Sequence, residues 1–134
     1  MNTDEFQQYR RRKGNEVVAV RLDLDTAGFT YSKWGGTQRC KPGDWIVLNN
    51  GDTYTVDAET FESTYQEVSP GLFLKITPIW AKQSSEAGTI ATKEGSTDYK
   101  QGDYIVSNDA EGRDQYAVSA EKFTKLYEPA DLPK

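Results

Sequence analysis

The sequence repeats itself, and that constrains its fold more than any single motif does. Pro42-Gly43-Asp44-Trp45-Ile46-Val47 returns as Gln101-Gly102-Asp103-Tyr104-Ile105-Val106, and the match runs back without a gap through Lys41 and Lys100, Gly36 and Gly95, and Thr30 and Thr89. Asn49 pairs with Asn108, after which the second copy takes in a few extra residues. Tyr54, Val56, Ala58, Glu59, Phe61 and Tyr65 then meet Tyr116, Val118, Ala120, Glu121, Phe123 and Tyr127. An ordered set of this kind points to a tandem of two small units.

Each copy carries a β pattern that ends in a short helix. Val18, Val20 and Leu22 alternate along one side of a strand over Glu16 to Leu22, and Phe73 to Trp80 holds the matching place in the second copy. Gly28 to Trp34 and Thr89 to Lys93 predict further strands. Pro42-Gly43 is a turn before the β-favouring run Trp45 to Leu48, and Asn50-Gly51 supplies the positive φ angles of a tight hairpin before Thr53 to Val56. Asp57 and Ser119 are suitable N-caps, with Glu59 and Glu121 in the first helical turn, where the helix dipole favours negative charge. Phe61 with Tyr65, and Phe123 with Tyr127, share a helix face that should fold back on its own sheet. The expected class is mainly β, all-β or α+β: a duplicated small antiparallel sheet or barrel-like unit, each closed by a short helix.

The expected division is an N-terminal arm or short helix over 1–15, a first repeat over 16–69, a second over 70–128 with its junction at Pro70-Gly71, and an irregular tail over 129–134. A unit of roughly 55 residues buries a limited core, so the two should pack together. The run "PGDWIV", then "YTV" and "ETFESTY", resembles a module of many small, uncharacterised bacterial and bacteriophage proteins, and the opening "YRRRKGNEVVAV" is similar to the way such modules begin. The likeness covers most of the first copy and, more loosely, the second, where Gln101 replaces the proline. It implies the duplication and a phage or host interaction context; no catalytic residue comes with it.

Composition narrows the chemistry. The 134 residues hold no histidine and one cysteine, Cys40, which removes the commonest general base and metal ligand and any internal disulfide. With 21 acidic against 16 basic residues the formal charge is -5, which disfavours nucleic acid; the cluster Arg10-Arg11-Arg12-Lys13 is expected to be a solvated arm. The chain shows no apolar run long enough to span a bilayer and no secretory signal, so a soluble, cytoplasmic protein is expected.

Asp44 and Asp103 recur as an acid in both copies, but an aspartate after glycine in a tight turn accepts backbone N–H bonds, so a structural role is expected. The same holds for the rest of the repeat motif: Gly43, Trp45, Phe61, Tyr65, Gly102, Tyr104, Phe123 and Tyr127. Trp34 differs, since Lys93 stands at its place in the second copy and it borders Gly35-Gly36. It is the first candidate for a binding surface. No metal, cofactor or catalytic residue is assigned. The first reading is a non-catalytic module that binds a protein partner. The second is a nucleotide-binding protein, or a minor enzyme acting on nucleotides, in which Trp34, Gly35 and Gly36 meet a base while Arg39, Lys41 or Lys100 meets phosphate.

Overall fold

The computed structural model describes residues 6–130. Its elements are β1 (Gln7–Arg11), β2 (Val17–Arg21), β3 (Phe29–Lys33), β4 (Gly36–Cys40), β5 (Trp45–Asn49), β6 (Asp52–Val56), α1 (Ala58–Thr64), β7 (Tyr65–Ser69) and β8 (Leu72–Lys75). They continue with β9 (Ile79–Gln83), β10 (Gly88–Ala91), β11 (Ser96–Tyr99), β12 (Tyr104–Ser107), β13 (Gln115–Val118), α2 (Ala120–Leu126) and β14 (Tyr127–Pro129). The protein is mainly β, as its alternating sequence predicts.

The strands form two five-stranded antiparallel sheets, ordered β6-β5-β2-β8-β7 and β13-β12-β9-β1-β14, and two hairpins, β3-β4 and β10-β11. Two expectations need correcting. The segment read as an arm or short helix is strand β1, held on one side by β9 and on the other by β14. Its residues QQYRR are polar, but the ladder supplies backbone partners, and Arg10 and Arg12 both reach Glu128 at the far end of the sequence. The boundary also moves. Pro70-Gly71 turns β7 into β8 within the first sheet, with Gly71 at a positive φ, so the chain crosses between sheets at residues 76–78. Phe73 to Trp80 is accordingly two strands, and β9 is the one that occupies the place β2 has in the first sheet. Of the expected tail, Pro129 belongs to β14 and the Ala130 N–H donates to the Gln8 carbonyl at 3.2 Å; residues 131–134, and residues 1–5 of the expected arm, lie outside the described residues.

Each sheet packs one helix through one aromatic cluster. The Asp57 side chain caps α1 by accepting from the Thr60 N–H, and Ser119 caps α2 by accepting from Lys122, as the capping pattern predicts. Phe61 then stacks on Trp45 at 4.5 Å and meets Phe73 edge-on at 5.1 Å. In the other sheet Phe123 stacks on Tyr104 at 3.9 Å and meets Tyr9 edge-on at 4.9 Å. On β2 it is Val17 and Ala19 that face this core, while Val18 and Val20 lie on the exposed side. The alternation is as expected, with the inner set shifted by one residue. Among the described residues no helix is long and apolar enough to cross a membrane.

Asp44 is almost fully buried and serves the structure. Its carboxylate accepts from the Lys41 N–H at 2.9 Å, from Lys41 Nζ at 3.1 Å and from the Ala58 N–H at 3.0 Å, tying the Pro42-Gly43 turn to the start of α1. Asp103 accepts from the Lys100 N–H at 2.9 Å in the matching turn and is only half-buried. Asp44→Ala therefore strands buried donors and should cost roughly 3 kcal/mol in urea unfolding, against about 1 kcal/mol for Asp103→Ala. Equal costs would contradict this assignment.

Candidate functional site

The hairpins of the two halves meet back to back. Gln38 bridges to Gly95, the Arg39 N–H donates to the Glu94 carbonyl, and the Asp98 N–H donates to the Trp34 carbonyl. Gly95 is required there, because a Cβ would lie 1.9 Å from the Thr37 carbonyl oxygen. Below the hairpins, the two five-stranded sheets enclose a pocket of about 380 Å³, within the range of small-molecule sites. Two clusters of charge join the halves beside it. Asp52 of β6 takes Lys33 at 2.7 Å and Lys122 of α2 at 2.9 Å. Lys93 lies 3.6 Å from Asp57 and 3.7 Å from Asp114, and also donates to the Thr60 hydroxyl at 2.7 Å.

The pocket floor is built from residues at matching places in the two sheets. Arg11, the last residue of β1, stands opposite Tyr127; Lys75, the last of β8, stands opposite Tyr65. Tyr54 of β6 and Tyr116 of β13 complete a set of four phenols around two cations. One Arg11 nitrogen, Nη2, donates to the Tyr65 and Tyr127 hydroxyls, each at 3.0 Å. Lys75 Nζ donates to Asn108 Oδ1 at 2.7 Å and to the Tyr116 hydroxyl at 3.2 Å, which lies 3.3 Å from that of Tyr127. Asn49 Nδ2 donates to the Tyr54 hydroxyl at 3.1 Å.

Charge in this cluster is unbalanced. Lys75 is only 6% exposed and Arg11 is mostly buried, yet among the described residues neither forms an ion pair with a carboxylate. A buried ammonium without a counter-ion costs several kcal/mol. The ring faces offset part of that, since Lys75 lies 5.5 to 6.0 Å from three tyrosine centroids, where each contact contributes about 1 kcal/mol. The positive charge is local to the floor, since Asp52, Glu94, Asp98, Asp103, Asp114 and Glu121 line the same pocket elsewhere. It acts on the phenols: burial pushes Tyr127 up, but Lys75 and Arg11 overcome that and, with the Tyr116 hydrogen bond, hold it down at about 7. Tyr116 moves the other way, well above its usual value, through burial and its neighbour Tyr127. Tyr54 is raised too, chiefly by burial.

The structure brings only part of the expected site together. Trp34 lines this pocket, 38% exposed, at the hairpin tip with φ of 57°, its ring 5.8 Å from that of Tyr54. Gly35 and Gly36 hold the tip against Asp98 and Ser96. Arg39 donates to the Ala27 carbonyl on the outside of its hairpin, Lys41 pairs with Asp44 and Asp57, and Lys100 sits exposed in the turn before β12. None of these three lines the pocket. Cys40 is fully buried, and burial pushes its thiol up, which suits packing rather than reactivity.

Arg11, expected in a solvated basic arm, is instead half-buried at the end of β1 and bound to Tyr65 and Tyr127, and Lys75 is a residue that sequence reasoning passes over. A signal for them exists in the spacing aromatic-x-cation, Tyr9-Arg10-Arg11 against Phe73-Leu74-Lys75. In both, the aromatic enters the core edge-on to the helix phenylalanine and the cation ends the strand at the pocket. Comparison of the chain with protein-family models, curated proteins and solved structures finds no match.

Proposed function

We propose that this protein is a non-catalytic binding module whose pocket between the two sheets holds a small anionic molecule. The observation that carries the reading is the buried Lys75 beside the half-buried Arg11, neither with a carboxylate partner among the described residues in a chain of net charge -5. An acidic protein has carboxylates to spare, and a buried cation left without one is poised for an anion from outside. Trp34 and Tyr54 form an aromatic wall above it, so an anion attached to a planar ring fits both features. This sharpens the nucleotide reading and moves the anion's contacts from Arg39, Lys41 and Lys100 to Arg11 and Lys75.

The test is a thermal shift with aromatic phosphates and nucleotides, repeated on Lys75→Met and Trp34→Ala. A ligand at 100 times its Kd should stabilise the wild type by about 2.7 kcal/mol. Lys75→Met should lose at least tenfold in affinity while melting no lower than the wild type, since an apolar side chain of similar length removes an uncompensated buried charge. A variant that loses stability but keeps affinity would place Lys75 in a structural role.

A protein partner has one observation of its own. Val18, Val20 and Leu48 lie exposed on the outer face of the first sheet, whereas at the matching places of the second Trp80 and Lys82 of β9 are half-buried and Ser107 of β12 is buried. Copurification with the wild type that is lost in Val20→Lys would favour this second reading.

A further inference from the structure

Resting on the anion-pocket reading, the inference concerns what balances the floor when the pocket is empty and what changes when it fills. Hydrogen-bond counting poses the question. Arg11 can only donate, and so can a charged Lys75. The Tyr127 hydroxyl receives Arg11 Nη2 from one side and faces the Tyr116 hydroxyl on the other. The Tyr116 oxygen in turn receives Lys75 Nζ. Between the Tyr116 and Tyr127 oxygens there is room for one proton, and two neutral phenols bring two. The cluster thus holds two cations with no carboxylate partner among the described residues, and Tyr127, 3% exposed, lies beside both: Arg11 donates to its hydroxyl at 3.0 Å and sits 4.9 Å from its ring centre, and Lys75 sits 6.0 Å from that centre.

We infer that the Tyr127 phenolate is the resident counter-ion of the empty pocket, and that a doubly charged oxyanion such as a phosphate monoester replaces it, so that binding returns one proton to Tyr127. The groups facing Tyr127 agree on the direction. Arg11 comes from β1 and Lys75 from β8; Tyr65, Tyr54 and Tyr116 come from β7, β6 and β13; the α2 side presents the apolar ring of Phe123. The nearest charges are therefore positive, and they favour loss of the Tyr127 proton, while Tyr116 supplies a hydrogen bond. An entering dianion provides the missing negative charge. With it in place a phenolate would be a third negative charge beside two cations, so the phenol regains its proton and becomes a donor to the ligand. The tyrosine pair shares the titration, and the proton count belongs to the pair.

Two measurements test this, with phenyl phosphate as the probe. Its second ionisation lies near pH 6, so above pH 7 the probe's own charge is constant. First, a pH titration of the tyrosinate absorption of the folded protein alone should show one phenol ionising near neutrality, absent in Tyr127→Phe and displaced to higher pH in Lys75→Met. Secondly, the affinity for phenyl phosphate should fall about tenfold per pH unit above the Tyr127 transition, with calorimetry in two buffers reporting uptake of nearly one proton. Tyr127→Phe should bind with an affinity that is flat over the same range. Binding that is independent of pH, with no neutral tyrosinate signal, overturns the exchange and leaves the pocket reading standing. A tyrosinate signal with no binding of phenyl phosphate at any pH overturns the exchange together with the pocket reading.

Discussion

A chain that begins at Lys13 should fail to form the second sheet. β1 lies between β9 and β14, so its loss removes an interior strand and leaves two unpaired edges. It also removes Tyr9 from the core and Arg11 from the pocket. Hydrogen exchange should report loss of protection in β9, β12 and β14, with protection retained in β5 and β2 of the first sheet. The shortened chain should melt well below the full one and bind no anion. A peptide spanning residues 1–12, added in excess, should restore part of the protection. Unchanged protection in β9 and β14 would show that β1 is not needed to complete the sheet.

Phe61→Ala should be the most damaging single substitution in the first sheet. The ring is 1% exposed and lies between Trp45 at 4.5 Å and Tyr65 at 4.5 Å, with Phe73 at its edge. Truncation removes three aromatic contacts and leaves a cavity that rigid neighbours on a sheet cannot close. The cost should be about 4 kcal/mol in urea unfolding. Tyr65 faces the pocket, so the same substitution should also weaken anion binding by loosening the phenol that Arg11 holds. A loss under about 1 kcal/mol would mean that this cluster is not the core of its sheet.

What the sequence revealed was local. Asp57 and Ser119 are legible as caps because a cap depends on the next three residues alone. Asn50-Gly51 is legible because the turn demands positive φ at both positions, and they adopt 51° and 84°. Trp34 was singled out by asymmetry between the copies, and it does line the pocket. β1 was illegible because its strand character comes from partners far away in sequence, as with the Arg10 to Glu128 contact that spans 118 residues. Nothing in Gln7 to Arg11 by itself prefers a strand. Arg11 and Lys75 were hidden for the same reason: one precedes the repeat, the other was counted within a single strand that turns out to be two. Tyr65 and Tyr127 were read as core aromatics. Their rings are indeed in the core, but their hydroxyls reach Arg11 at the pocket, and residue type does not announce such a division.

The pairing of β1 with β14 also fixes a schedule. β1 pairs on one side with β9, near the middle of the chain, and on the other with β14, so its second edge stays open until β14 has been made. The first sheet has all its strands between Val17 and Lys75 and can assemble in the meantime. The clasp then closes last, and with it Arg11 swings into place opposite Tyr127. A chain short of β14 can have its first sheet folded and still lack Tyr127 at the pocket floor. The proposed site is thereby completed only when β14 is in place.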